Sequence, residues 1–273
     1  MIKVRYVFFL LSLLLIITAC ASSPAASAPA KKVDSNAREA SFFHFTPDRN
    51  GLVFIGAAGK QSKEKDSLRL ALEDAARQVA LFYSVFGEYA VRTDIGTGLF
   101  DYSRETATTL LYDEEGSSQY VESLQYDPDT DTILIENGFF VRATYPLTLS
   151  APVSYRPKYS GADRKPDWVT HPPNEIAGYE VGISYSGRHS YLSDAYKNSR
   201  YNAVYSIIRS VNTSVRGTSL SYEVASGGSF GYKAASNNVN YSYGTLNGFY
   251  VLDTWIDPKS RAVWTLAIAD RIK

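Results

Sequence analysis

Leu52-Val53-Phe54-Ile55-Gly56-Ala57-Ala58-Gly59 is a run of apolar and small residues that closes on a glycine. A polar turn over 60–66 follows it. Leu68, Leu72, Ala75, Val79, Phe82 and Phe86 then recur at steps of 4, 3, 4, 3 and 4. That spacing lays one apolar stripe along a helix. Arg69, Glu73 and Arg77 fall on another face, spaced for i,i+4 pairing. A strand, then a helix with small residues that let it lie close on a sheet, predicts an α+β fold with the helix on one sheet face.

The same order recurs downstream. Tyr179-Glu180-Val181-Gly182-Ile183-Ser184 is a second short strand with a glycine, a polar turn over 185–190 follows, and Tyr196, Ser199, Ala203, Ile207 and Val211 form a weaker helical stripe. Ala71, Ala75 and Val79 match Ser199, Ala203 and Ile207 when the second turn is taken two residues longer. An Asp-Pro turn comes 48 residues after Val79, at Asp127-Pro128, and 50 after Ile207, at Asp257-Pro258. Strand-like sequence follows each turn, at 132–135 and 262–269. Asn137-Gly138 is also a strong hairpin signal and offers a rival register for the first copy. Six of the eleven prolines fall between 146 and 173, a stretch that forms neither a helix nor a central strand. The expectation is two tandem α+β modules from a diverged duplication, 41–150 and 151–273, each a strand, an amphipathic helix and an antiparallel strand meander. The second opens with the Pro-rich lead-in. Within it, 217–248 is rich in Ser, Gly, Asn and Tyr and alternates Leu220, Tyr222 and Val224, then Val239, Tyr241 and Tyr243, which reads equally as a long hairpin with its tip near Ser226-Gly227-Gly228-Ser229 or as a disordered loop.

Composition narrows the class. The chain has 273 residues, 45% apolar and 21% charged, which suits a packed body rather than a disordered chain. Its 28 basic residues equal its 28 acidic ones, which argues against nucleic-acid binding by phosphate neutralisation. A single Cys excludes an internal disulfide and a Cys-rich zinc site.

That Cys has a telling position. Lys3 and Arg5 precede an apolar run over 7–17, too short to span a bilayer but suited to the core of an export signal. The run ends Ile17-Thr18-Ala19-Cys20, which resembles the bacterial lipobox. The resemblance implies a signal peptide over 1–19, cleavage before Cys20, and acylation of Cys20 with palmitate-type chains. Ala21 and Ser22 follow rather than Asp, so the inner-membrane retention signal of enteric bacteria is absent and the outer membrane is expected. Cleavage would leave 26 basic against 28 acidic residues, so the acyl chains, not charge, would hold the membrane. Residues 20–40 carry almost no large apolar side chains and read as a tether with an r.m.s. reach of about 25 Å.

Candidates for chemistry are weak. Asp127, Asp129 and Asp131 open like a calcium loop, but Thr132 and Gly138 stand where that loop needs Gly and Glu, so a turn is expected. His44, His171 and His189 have no metal spacing. Asp113-Glu114-Glu115 reads as a solvated loop rather than a pair of glycosidase carboxylates. Catalytic residues, metal and cofactor are therefore all expected to be none. Trp168, Tyr222, Tyr232, Tyr241 and Tyr243 are the candidate interaction surface, since Tyr and Trp are enriched in interfaces and stack on sugars. Trp255 and Trp264 flank the Asp257-Pro258 turn, and at least one is expected in the core.

Pro166-Asp167-Trp168-Val169, Pro172, the strand with Gly182 and the small residues of the second helix together resemble the bacterial twenty-kilodalton membrane-associated lipoprotein family, which includes flagellar outer-membrane lipoproteins of the FlgP kind. The similarity covers about 166–215 and, more loosely, the closing hairpin. Tyr196, Tyr201 and Tyr205 depart from it. The resemblance implies an envelope lipoprotein without catalysis, a structural or adaptor part of a cell-envelope or flagellum-associated assembly. Its expected partners are the membrane, other envelope proteins or further copies of itself, and no nucleic acid. The alternative expectation is a lipoprotein that binds glycans or small ligands on a Tyr/Trp-rich surface.

Overall fold

The computed structural model describes residues 41–44, 51–95, 102–161, 163–211, 213–226 and 229–271, the side chains of 92–95, 102–105, 213–226 and 229–241 excepted. After a helical turn at 41–43 come β1 (Leu52–Gly59), α1 (Glu64–Tyr83), β2 (Val85–Ile95), β3 (Tyr102–Leu111), a 3-10 helix (Gly116–Ser123), β4 (Thr132–Ile135) and β5 (Gly138–Tyr145). Two short strands follow, β6 (Tyr159–Ser160) and β7 (Lys165–Pro166), and a 3-10 turn (Asp167–Val169). The chain closes with β8 (Tyr179–Ser186), α2 (Leu192–Val211), β9 (Thr213–Ser226), β10 (Ser229–Leu246), β11 (Tyr250–Ile256) and β12 (Val263–Asp270). All pairings are antiparallel, so the class is α+β.

α1 ends earlier than its stripe predicts. Ser84 turns extended (φ −167°), its N–H bonding back to the Ala80 carbonyl, and Phe86 belongs to β2. The strand-favouring residues Val85 and Phe86, with Gly87, end the helix there. β1 forms one edge of a sheet ordered β1-β5-β4, and β8 forms one edge of a sheet ordered β8-β12-β11. In each, the strand before the helix pairs with the last strand of its half. The β4–β5 hairpin turns at Glu136-Asn137, Glu136 taking φ 52°. By pairing, therefore, Asn137-Gly138 corresponds to Asp257-Pro258, and Asp127-Pro128 is an earlier turn. The helix correspondence also moves by one turn. A Cβ added to Gly56 would meet the Ala71 carbonyl, and one added to Gly182 the Ala203 carbonyl, so Ala71 matches Ala203 rather than Ser199.

The long hairpins β2–β3 and β9–β10 join in a third sheet, ordered β3-β2-β10-β9. The 217–248 hairpin is thus present, with the tip at 227–228 outside the described residues. Near its base this sheet lies on α2: a Cβ on Gly87 would collide with Ile208, and Arg209 stacks over Tyr89.

Arg38–Lys273 forms one compact unit, so 41–150 and 151–273 are halves of one body. Their cores interlock. Leu52, Phe54, Ala71 and Ala75 of the first half share a cluster with Trp168, Tyr179, Tyr250 and Leu266 of the second. The opposite face of β1, with Ile55 and Ala57, packs with Phe140, Tyr196, Val263, Phe42 and Phe43. The Pro-rich stretch is no free linker either. Leu147, Leu149, Val153 and Tyr155 press onto the core, and the Tyr179 hydroxyl clips Ala151 by accepting from its N–H (2.7 Å) and donating to its carbonyl (2.6 Å).

Candidate functional site

Among the described residues, one buried polar cluster is built around Asp253. This residue follows a register shift in β11, where the extra residue re-aims the strand. Its side chain is 1% exposed. Oδ2 accepts from Trp168 Nε1 (2.7 Å) and from the Tyr159 hydroxyl (3.0 Å). Oδ1 accepts from the Thr254 N–H (3.0 Å) and lies 2.7 Å from His44 Nδ1. An ionised carboxylate only accepts, so Nδ1 carries the proton in this arrangement. The Tyr159 hydroxyl also stands 2.8 Å from Nδ1, and the two rings are 4.1 Å apart. Burial, then the Asp253 charge, pushes the Tyr159 hydroxyl far above its ordinary range, so it stays protonated and donating. Tyr155 is raised the same way, by burial and by Asp167, to which its hydroxyl donates (3.2 Å).

The hub thus ties together three distant segments: the 41–44 turn, the Pro-rich strap and β11. A carboxylate has about four acceptor positions. Here Trp168, Tyr159, Thr254 and His44 take them, which leaves the group committed to holding structure rather than to moving a substrate proton. His44 Nε2 is buried with no hydrogen-bond partner.

A second buried polar group joins the helices. Asp74 of α1 and Arg200 of α2 form a two-pronged ion pair, with Nη2 to Oδ1 at 2.9 Å and Nη1 to Oδ2 at 3.1 Å, both side chains 1% exposed. Asp74 Oδ2 also accepts from the Ala57 N–H (2.9 Å). Burial would raise the Asp74 carboxyl, but the charge and hydrogen bonds of Arg200 outweigh it and hold the group below its ordinary value. Burial likewise opposes the Arg200 charge, and Asp74 more than restores it. The guanidinium also lies over Tyr201, 5.1 Å from the ring centre.

Among the sequence candidates, Trp168 is 0% exposed and belongs to the hub, so it is not part of an outer interaction surface. Its indole fills the core while its N–H answers the Asp253 charge. Tyr222 and Tyr232 lie on β9 and β10, and Tyr241 on β10, with side chains outside the described residues; Tyr243, also on β10, is 52% exposed. Cys20 lies outside the described residues. Asp127, Asp129 and Asp131 close a turn on themselves: Asp129 N–H donates to Asp127 Oδ1 (3.0 Å), and Asp131 Oδ1 accepts from Arg142 (2.7 Å). In the acidic run, Asp113 accepts from the Gly116 N–H (2.8 Å) at the start of the 3-10 helix, and Glu114 pairs with Arg77 (3.1 Å). That pair borders a groove of about 650 Å³ between α1 and the 3-10 helix, floored by Leu68, Leu72, Val121 and Tyr126. Trp255, Trp264 and Tyr185 stand opposite one another across β11, β12 and β8. Trp255 is buried, while Tyr185 is 51% exposed with its ring 4.9 Å from Trp264.

Sequence reading missed Asp74, Arg200, His44, Tyr159 and Asp253. The available signal was a charge inside an apolar pattern: Asp74 beside Ala71 and Ala75, Arg200 beside Ser199 and Ala203, Asp253 within the run from Phe249 to Trp255. No family model, curated protein or solved structure matches the chain.

Proposed function

We propose that this chain is a non-enzymatic, lipid-anchored protein of the bacterial outer membrane that serves as a structural or adaptor part of an envelope assembly. The observation that carries the reading is Ile17-Thr18-Ala19-Cys20, with the only Cys of the chain at the acylation position. The four hydrogen-bond partners of Asp253 and the closed Asp74–Arg200 pair support a holding role, because both carboxylates are 1% exposed and bound to groups of the fold. The resemblance around Trp168 points the same way, toward envelope and flagellum-associated lipoproteins. In mechanism the acyl chains fix the body to one leaflet and raise its effective concentration near partners there. The test is metabolic labelling with a palmitate analogue, membrane fractionation and in-cell crosslinking of wild type and Cys20→Ala. Label and membrane retention that vanish in the variant, with crosslinks to a few envelope proteins, are expected. Equal retention of both forms would sink the anchor.

A second reading is glycan or small-ligand binding, favoured by the half-exposed Tyr185 ring beside Trp264. Trp fluorescence titrated with envelope oligosaccharides checks it. Quenching by a glycan that Tyr185→Ala abolishes would move the weight to this reading.

A further inference from the structure

The leading segment enters the body beside a tract of cations and aromatic rings. The described chain begins at 41–44, where His44 Nδ1 lies 2.8 Å from the Tyr159 hydroxyl and the two rings stand 4.1 Å apart. Tyr159 opens the β6–β7 hairpin. Alternate side chains of an extended segment point opposite ways, so as Tyr159 turns in to His44, Lys158 and Ser160 turn out, and both are exposed. Arg164 lies over the Tyr159 ring (5.8 Å) and Lys165 over the Trp255 ring (5.8 Å). The Trp255 indole N–H donates to the Asp163 carbonyl (3.1 Å), which seats the hairpin on β11. From Trp255 a row of rings continues across the sheet to Trp264 and then to the half-exposed Tyr185. The tract therefore runs from the entry of the chain, through the hairpin, to an open aromatic edge.

We propose that this tract is a second membrane contact: the folded body sits with it against the anionic phospholipid headgroups of the leaflet that holds the Cys20 acyl chains. The inference rests on the lipid-anchored reading and adds an orientation to it. Connectivity is the first argument. A chain fixed at Cys20 reaches the body through residue 41, and the tether read over 20–40 has an r.m.s. reach of about 25 Å. The face around His44 is thus the one brought to the bilayer most often. A weak attraction there suffices, because the contact is made within one anchored molecule.

Charge complementarity is the second argument. Among the described residues, the carboxylates along the tract are already engaged: Asp163 by Lys259 (3.0 Å), Asp167 by the Tyr155 hydroxyl (3.2 Å) and the Lys158 N–H (3.2 Å), and Asp257 by the Ser260 hydroxyl (2.6 Å). Arg156, Lys158, Arg164 and Lys165 are paired with none of them. The equal totals of basic and acidic residues in the chain conceal this local excess. Lys and Arg beside an anionic leaflet are each attracted to it. Trp and Tyr favour the headgroup layer, which is apolar on one side and wet on the other. A neutral glycan would stack on Tyr185 and leave the cations unanswered, whereas a lipid surface answers both. Trp255, which is buried, supports the hairpin, and the contact itself falls to the cations and Tyr185.

The test uses the full acylated chain with single engineered thiols, which are its only reactive ones because acylation consumes the Cys20 sulfur. Ser160→Cys reports the tract. Ser210→Cys reports α2, which covers the other face of the sheet, Gly182 lying against the Ala203 carbonyl while Tyr185 points the opposite way. The chain is reconstituted in vesicles of phosphatidylcholine with and without phosphatidylglycerol, and modification by a water-soluble maleimide is timed. Slower modification of Ser160→Cys is expected on the phosphatidylglycerol vesicles alone, reversed by added salt, with no change at Ser210→Cys. Lys158→Glu with Lys165→Glu is expected to abolish the protection, since each cation lost lowers the seated-to-free ratio roughly 3–5-fold, and Lys158→Arg with Lys165→Arg to keep it. Equal rates on both vesicles would overturn the proposal, as would protection that survives the double reversal. Protection by a soluble envelope oligosaccharide without lipid would also overturn it, in favour of the glycan reading. Hydrogen exchange over 156–166 of the unsubstituted chain on the same vesicles makes the comparison without a thiol, should Ser160→Cys disturb the hairpin. Palmitate labelling and flotation of the same samples report the anchor separately: an anchored chain without charge-dependent protection overturns the seating alone, and a chain without acyl groups overturns both.

Discussion

Asp74 and Arg200 stand 126 residues apart in sequence, yet each is the other's only counter-charge among their described ion pairs. Asp74→Asn keeps the shape and strands the guanidinium, so it should cost about 3–5 kcal/mol, read by urea or thermal unfolding. The sign with pH follows from the lowered Asp74 carboxyl. A group that ionises more readily when folded adds stability above its unfolded value, about 3.9, and that stability is lost as pH falls through the still lower folded value. Wild type should therefore weaken in acid below about pH 4, and Asp74→Asn should show a shallower acid limb. Trp168→Phe retains most of the buried ring but removes one donor from Asp253. Its expected cost is about 1–3 kcal/mol by unfolding, with little change in near-neutral fold. The one mark these residues leave in the sequence is a charge inside an apolar pattern. A single charge within an apolar stripe reads as an outward position until the partner is known, and the charged and aromatic partners here, Arg200 for Asp74 and His44, Tyr159 and Trp168 for Asp253, lie far along the chain.

At the scale of elements, the close approach of helix to strand decides most. A Cβ on Gly56 would sit 1.8 Å from the Ala71 carbonyl, whereas one on Gly59 would meet nothing nearer than a Tyr191 ring atom at 3.4 Å. Gly56→Ala should then cost about 3 kcal/mol or more by pushing α1 off β1, and Gly59→Ala should be nearly silent; paired thermal melts compare them. For β9–β10 the alternation left hairpin and loop open, and the structure pairs the two strands. Both strands before the helices and both helices were legible, because period and punctuation mark them. β2 and β3 were not. Glu88, Arg92, Asp94, Arg104 and Glu105 interrupt any apolar alternation, since this sheet is not wrapped by core on both faces. The sequence left two registers open for the first half, Asp127-Pro128 and Asn137-Gly138, and β4–β5 pairing selects the second; Asn137 also reaches across to the start of α2, accepting from the Leu192 N–H (3.3 Å) and donating to the Ser190 carbonyl. That contact depends on the other half and leaves no trace in local sequence.

For the whole molecule, one interlocked core means one unfolding event. Calorimetry of the full chain should give a single transition, with van't Hoff and calorimetric enthalpies in agreement. A fragment limited to 151–273 should fail to fold by near-ultraviolet dichroism, since it loses Leu52, Phe54 and Ala71 from the shared cluster and leaves Arg200 without Asp74. Repeated element order predicts two tandem modules. What it could not reveal is that α2 packs on the strands of both halves.

The hub at Asp253 also has a mechanical meaning. Counting from the amino terminus, Phe42, Phe43 and His44 are the first described residues seated in the body, two rings in an apolar nest and an imidazole locked to Asp253 and Tyr159. A load applied ahead of residue 41 would first meet the contacts of His44 with β11 and the strap. Strain entering there would be shared among three segments at once: the 41–44 turn, the strap and β11.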